Sequence, residues 1–286
     1  MREEREVSLH VERSGRGRAV VLAHGFGGSA RNFRGQVRAL SARATFVLFD
    51  QRGHARSGAP RDPALYTAAH LVDDFASVVE RFVPPGERAV VGGLSLGAAI
   101  GLGYARRRPD RVAGLVLAAF PPGADEPRVA GDAPGTASQA DWARAFADAI
   151  DREGLEAAGD EYAWGPRSGF DPAAARLVRQ GFLEHPPHGV RNLLRGVLAL
   201  QPGAATLAPS LRRLDVPALV IVGGADALSL GPSRILARAL PRARLVVVEG
   251  AGHVVNLAAP AAFNAALEEL LDEVDRADAR HAGGLG

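Results

Sequence analysis

Residues 88–98 read Arg88-Ala89-Val90-Val91-Gly92-Gly93-Leu94-Ser95-Leu96-Gly97-Ala98, an apolar run that ends in Gly-Leu-Ser-Leu-Gly and passes into an Ala- and Gly-rich stretch. Gly-x-Ser-x-Gly between a strand and a helix has a mechanical cause. The chain turns sharply with Ser95 at the apex in a strained conformation, and small residues two before and two after keep side chains from colliding there. The plainer reading is a serine capping the helix at an ordinary strand-to-helix turn.

Outward from that turn, short β-rich runs alternate with helical lengths. Strands are predicted near 7–12, 18–23, 44–49, 88–92, 112–119, 216–223 and 244–249, and helices near 31–41, 67–82, 96–107, 231–240 and 260–273. The later strands are near-continuous apolar runs, as expected when helices cover both faces of a parallel sheet. The alternation predicts an α/β class fold with a doubly wound, mostly parallel sheet. One stretch breaks it. Residues 121–205 offer no strand and read as helices over 138–152, 171–183 and 188–200, with Asp171 as N-cap and Pro172 at the first helical position. An all-helical insertion between two strands reads as a cap on a core of residues 1–120 and 206–286, with 274–286 expected to be a disordered tail.

Composition removes several chemistries. The 286 residues include no cysteine, and all 34 basic residues are arginine. Without lysine there is no Walker phosphate loop and no Schiff base; without cysteine there is no thiolate nucleophile and no zinc–thiolate site. The eight histidines are scattered, with no HExxH pair. Basic residues nearly balance acidic ones, 34 against 32, and runs such as Arg106-Arg107-Arg108 are short, which argues against a nucleic-acid partner. The charged opening Met1-Arg2-Glu3-Glu4-Arg5-Glu6 lacks the apolar core of a secretory signal, and no apolar stretch is long enough to span a membrane. A cytoplasmic location is the expectation.

A serine nucleophile needs a base, and in the usual chain order an acid and then a histidine follow it. Beyond the helical insertion only His253 and His281 remain, and His281 falls in the predicted tail. His253 lies in Gly250-Ala251-Gly252-His253, a glycine-rich loop after a strand. The acids between are Asp215, Asp226 and Glu249. Asp215 opens a strand, the wrong end, because sites in such sheets lie outside the carboxyl ends. Asp226 follows a strand at the right end; Glu249 does too, but only four residues before the base. Asp226 is therefore the expected acid. For a developing oxyanion, the donors expected are the N–H groups of Leu96 and of Phe26, the latter in His24-Gly25-Phe26-Gly27-Gly28. His24 itself is expected to brace the strand end.

Together these residues resemble the α/β-hydrolase fold family: an HGxGG loop, an Asp50-Gln51-Arg52-Gly53-His54 turn, the GLSLG elbow, Asp226 and a GAGH loop, in the family's order. The family's DxRGHGxS turn is carried by Asp50, Arg52, Gly53, His54 and Ser57, with Ala55-Arg56 replacing the usual Gly-x, and in the family it is chiefly structural. Ala98 is a second departure, standing where many relatives have glycine. The resemblance implies a Ser95–His253–Asp226 serine hydrolase acting on an ester, thioester or lactone, with no cofactor or metal and a small molecule as its partner. Serine at the elbow also occurs in carbon–carbon bond hydrolases and cofactor-free haloperoxidases, whereas epoxide hydrolases and haloalkane dehalogenases usually carry aspartate.

Rival readings remain. Gly25-Phe26-Gly27-Gly28-Ser29-Ala30 is a literal GxGxxA, with Asp50 placed like a ribose-binding acid, so a dinucleotide-binding (Rossmann) dehydrogenase fits that segment alone. It leaves the elbow, Asp226 and His253 without a task. A non-catalytic receptor on the same fold would keep the same residues. For substrate contacts, Trp142, Trp164, Tyr162 and Leu230 are expected to line an apolar pocket, with Phe120 and Phe170 nearby and Arg144 or Arg167 as candidate carboxylate clamps.

Overall fold

The computed structural model of the chain describes residues 7–127, 137–165 and 172–283. Its strands are β1 (Val11–Gly15), β2 (Arg18–Ala23), β3 (Ala44–Phe49), β4 (Ala89–Leu94), β5 (Val112–Ala118), β6 (Ala218–Gly223) and β7 (Ala243–Val248). They form one sheet in the order β1-β3-β2-β4-β5-β6-β7, in which β1 pairs antiparallel with β3 and every other pair is parallel.

Side chains alternate across a strand, so an apolar run with both faces buried feeds two cores. Val21, Val47, Val91 and Leu117 face one layer, which includes α2 (Ala68–Phe82) and α3 (Leu96–Arg107). Val20, Phe46, Val90 and Val116 face the other, with Phe263 and Leu267 of α10 (Pro260–Gly283). Also present are α1 (Arg34–Leu40), α8 (Ala227–Ala239) and a short α9 (Val255–Ala258). Between β5 and β6 the chain is helical where described: α4 (Gln139–Tyr162), α5 (Pro172–Leu183), α6 (Pro187–Leu193) continuing as a π-helix over Leu194–Leu198, and α7 (Ala204–Leu211). Asp171, the predicted cap of α5, lies outside the described residues.

Four expectations are corrected. The first strand spans 11–15 rather than 7–12, because residues 8–10 hydrogen-bond to the turn after β3: Gly58 N–H donates to Ser8 O, Asp50 N–H to His10 O, and His10 N–H to Ser57 Oγ. Helix α4 continues past 152, broken at Gly154, whose φ is +85°. Helix α8 begins directly after Asp226 rather than at 231, with Asp226 as its N-cap. Residues 274–283 extend α10 instead of forming a disordered tail. Val274 is buried there, and Asp275 and Asp278 pair with Arg18 of β2 at 2.9 and 2.7 Å. Residues 284–286 of that tail lie outside the described residues. No helix among the described residues is long and apolar enough to cross a membrane.

Candidate active site

Strand β4 delivers Ser95 to the carboxyl edge of the sheet with φ +53° and ψ −116°, a conformation that L-residues rarely adopt. The glycines around it are required by space. A Cβ on Gly93 or on Gly97 would lie 2.0 Å from the carbonyl oxygen of Ala23. Ser95 N–H donates to Ala118 O of β5 at 2.8 Å, which anchors the turn to the neighbouring strand.

The loop after β2 runs alongside. A Cβ on Gly25 would touch Ser95 Cβ at 3.4 Å, so the backbone of the HGFGG loop lies against the serine. Among the described residues no hydrogen-bond acceptor takes the N–H of Phe26 or of Leu96. Two unpartnered amides, one on this loop and one at the start of α3, are what an oxyanion site needs.

Asp226, buried at the end of β6, accepts from the Ser229 N–H at 3.3 Å and lies 2.8 Å from His253 Nδ1. Burial raises the Asp226 carboxyl pKa, but hydrogen bonds and charge from His253, with those from Ser229, outweigh it, and the net shift is downward. An ionised carboxylate accepts only, so Nδ1 carries the ring proton and Nε2 is left as the basic nitrogen. Ser229 Oγ, fully buried, stands 3.3 Å from the same Nδ1. Sequence reasoning did not pick out Ser229; its place three residues after a helix-capping Asp was the available signal. The other two acids, Asp215 and Glu249, are exposed, and neither pairs with His253.

The turn after β3 supports the loop. Asp50 accepts from Ala30 N–H at 2.8 Å and from Arg56 Nε at 2.7 Å. Arg52 is fully buried and paired with Asp74 through Nε–Oδ2 at 2.5 Å and Nη2–Oδ1 at 2.7 Å. His24 braces its strand end as expected: Nδ1 lies 2.7 Å from Gly25 O, and Nε2 accepts from Gln51 N–H at 3.0 Å. His24, His54 and His185 stand in file, with ring centroids 4.8 and 4.9 Å apart. His185, between α5 and α6, accepts from Ala55 N–H at 2.9 Å and so links the helical layer to this turn. The sequence gives no local sign of that link, because 130 residues separate the partners.

Three of the predicted pocket residues belong to an aromatic cluster. Trp142 packs on Phe146, Phe146 stacks on Tyr162 at 5.4 Å, and Trp164 packs on Phe182, which meets Phe26 edge-on at 5.4 Å. Leu230 is half-buried on α8. A cavity of about 750 Å³ lies beside α3; Leu96 and Phe120 line it, and these four residues do not. Arg144 is exposed and near Asp141, while Arg167 and Phe170 lie outside the described residues. Among the described residues no cluster of His, Asp or Glu is arranged to hold a metal ion.

Comparison with known proteins agrees with this architecture. The family described as alpha/beta hydrolase fold matches residues 18–260. A pimeloyl-[acyl-carrier protein] methyl ester esterase of Nitrosomonas europaea is 30% identical over 92% of this chain and 99% of its own. A thermophilic esterase of Thermogutta terrifontis is 28% identical with a TM-score of 0.76, covering 93% of each chain. An enol-lactonase of Burkholderia xenovorans is 26% identical with a TM-score of 0.74, covering 92% of this chain and 96% of the other. With the elbow, the sheet order and the family match in agreement, the chain belongs to the alpha/beta hydrolases.

Proposed function

We propose that the protein is a serine hydrolase that cleaves a carboxylic ester, thioester or lactone of a small apolar or aromatic substrate through an acyl-enzyme on Ser95. The observation that carries this reading is the arrangement at the sheet's carboxyl edge. A strained serine at the end of β4 lies against a loop with a free amide, and beyond the ends of β6 and β7 a histidine lies 2.8 Å from a buried carboxylate. The esterase and lactonase likenesses support the same class of carbonyl substrate.

In the first step His253 Nε2 takes the proton of Ser95 Oγ as that oxygen bonds to the substrate carbonyl carbon. The displaced π electrons settle on the carbonyl oxygen, which accepts from the Phe26 and Leu96 amides. Collapse expels the alkoxide or thiolate, which receives the proton from His253. Water then loses a proton to His253, attacks the acyl carbon and releases Ser95, which regains its proton. Asp226 keeps the ring oriented and stabilises its protonated form. Residues 121–205 serve as the cap that bounds the substrate, with Trp142, Tyr162, Trp164 and Leu230 shaping its apolar side.

Hydrolysis of p-nitrophenyl esters from acetate to decanoate tests the reading. Ser95→Ala lowers kcat roughly 10⁴- to 10⁶-fold, and Asp226→Asn roughly 10⁴-fold because the ring is left in the wrong tautomer. A Ser95→Ala rate near wild type overturns the assignment.

A further inference from the structure

The cavity beside α3 holds none of Ser95, Asp226 and His253 in its lining. Its volume of about 750 Å³ falls in the range that small-molecule sites occupy. Leu96, Ile100 and Gly103 of α3 form one wall, and Val72, Val197 and Leu207 face them from α2, the π-helix and α7. The wall along α3 is 12 residues long, about 18 Å at helical rise. That shape is a trough with a direction. Leu96 and Phe120 close one end, at the carboxyl ends of β4 and β5. Arg106 and Arg213 stand at the other, just ahead of the amino ends of β5 and β6.

The polar groups in this lining divide cleanly. Gln201 donates to Pro122 O at 2.5 Å, Ser210 donates to Leu207 O at 2.7 Å, and Arg107 pairs with Asp73 at 2.8 Å. Arg106 and Arg213 have no hydrogen-bond or ion-pair partner among the described residues. An apolar trough whose two unengaged polar groups are guanidinium ions at one end fits a ligand of matching polarity: apolar along its length, anionic at one tip.

We propose that this groove binds a straight alkyl chain with a single terminal anion, a carboxylate or a phosphate, the chain lying along α3 and the head held by Arg106 and Arg213. A neutral chain satisfies only the trough, and a compact anion satisfies only the arginines. None of Ser95, Asp226 and His253 lines it, which sets it apart from the reaction proposed above. Its one shared residue is Leu96, which lines the groove while its amide belongs to the proposed oxyanion site.

Titration calorimetry of the full chain with dodecanoate, dodecyl phosphate and dodecanol, each below its micellar concentration, tests the proposal. Both anions bind at one per chain, roughly tenfold tighter than dodecanol, a preference of the size that two exposed ion pairs supply. Tighter binding of the phosphate or of the carboxylate identifies the natural head. The double change Arg106→Glu, Arg213→Glu abolishes the preference while dodecanol binding and p-nitrophenyl butyrate turnover stay unchanged. Ala99→Phe, which fills the trough, weakens all three ligands, and Ser95→Ala alters none. Anion binding that is indifferent to the arginine pair, or that disappears in Ser95→Ala, overturns the proposal. The two arginines are exposed, so their variant stays folded and decides the matter even if Ala99→Phe does not fold.

Discussion

His54 Nε2 accepts the amide hydrogen of Gly27 at 3.1 Å, which ties the turn after β3 to the loop that lies against Ser95. Gly27 holds φ +73° there, and a Cβ on it would collide with the Phe182 ring of α5, so the loop is held by the turn on one side and packed against α5 on the other. The bond is buried, so removing the ring strips the Gly27 amide of its protein acceptor.

Loss of that ring lets the Phe26 amide drift from its place. His54→Ala is expected to lower kcat roughly 10- to 100-fold, less than outright loss of an oxyanion donor, with a smaller change in KM. Steady-state kinetics on p-nitrophenyl butyrate read both constants, and an unchanged kcat contradicts the positioning role.

The file of three histidines is neutral in the folded protein. Burial pushes His24 from 6.5 to about 4, and burial, with repulsion from His24 and His185, puts His54 well below its ordinary value; burial also lowers His185. Between pH 6.5 and about 4 the unfolded chain therefore binds more protons than the folded one. Stability is complete above 6.5 and falls as pH drops through that window, by up to about 3 kcal/mol from His24 alone. Thermal unfolding at pH 7.5 and pH 5 is expected to show a lower Tm at pH 5, and a smaller drop in His185→Phe. An equal Tm at both values contradicts neutral burial.

The elbow glycines are set by backbone, which cannot step aside. A Cβ on Gly97 would lie 2.0 Å from Ala23 O and 2.7 Å from His24 O. Gly97→Ala is expected to cost about 3 kcal/mol or more, a Tm loss of roughly 6–12 °C in calorimetry.

Arg52 and Asp74 form a buried two-point pair, and Arg52 Nη1 also donates to Leu65 O at 2.6 Å. Asp74→Ala leaves a buried cation unpaired and is expected to cost about 3–5 kcal/mol in urea unfolding. Adding Arg52→Met recovers only part of that, because Leu65 O then loses its donor. Full recovery indicates that the carbonyl finds another partner.

Residues under local backbone constraint were readable from the sequence. Ser95 was marked by the glycines its turn requires, and Asp226 by following a strand at the carboxyl end. His253 was reached because few histidines follow the insertion. Contacts across distant segments left no such mark. Asp74 as partner of Arg52 and His185 as third in the file depend on how helices pack on the sheet. The extension of α10 was missed because its charged 275–278 stretch looks solvated until Arg18 of β2 is placed beside it. The aromatic residues between β5 and β6 were legible as apolar, but periodicity does not tell packing from pocket lining.

The parallel pairing of β5 with β6 joins residues about a hundred positions apart, from Leu115↔Ala218 to Ala118↔Ile221. Closing so long a loop is entropically costly and slow compared with neighbouring contacts. As the polypeptide leaves the ribosome, β2, β3 and β4 can assemble early and set the elbow, while β6 and β7 arrive last. The nascent chain thus holds Ser95, the proposed nucleophile, long before Asp226 and His253, the proposed acid and base. On the proposed reading, a chain that ends between Ala118 and Asp226 holds the elbow serine without the groups that would activate it, so reactivity waits until β6 and β7 have docked.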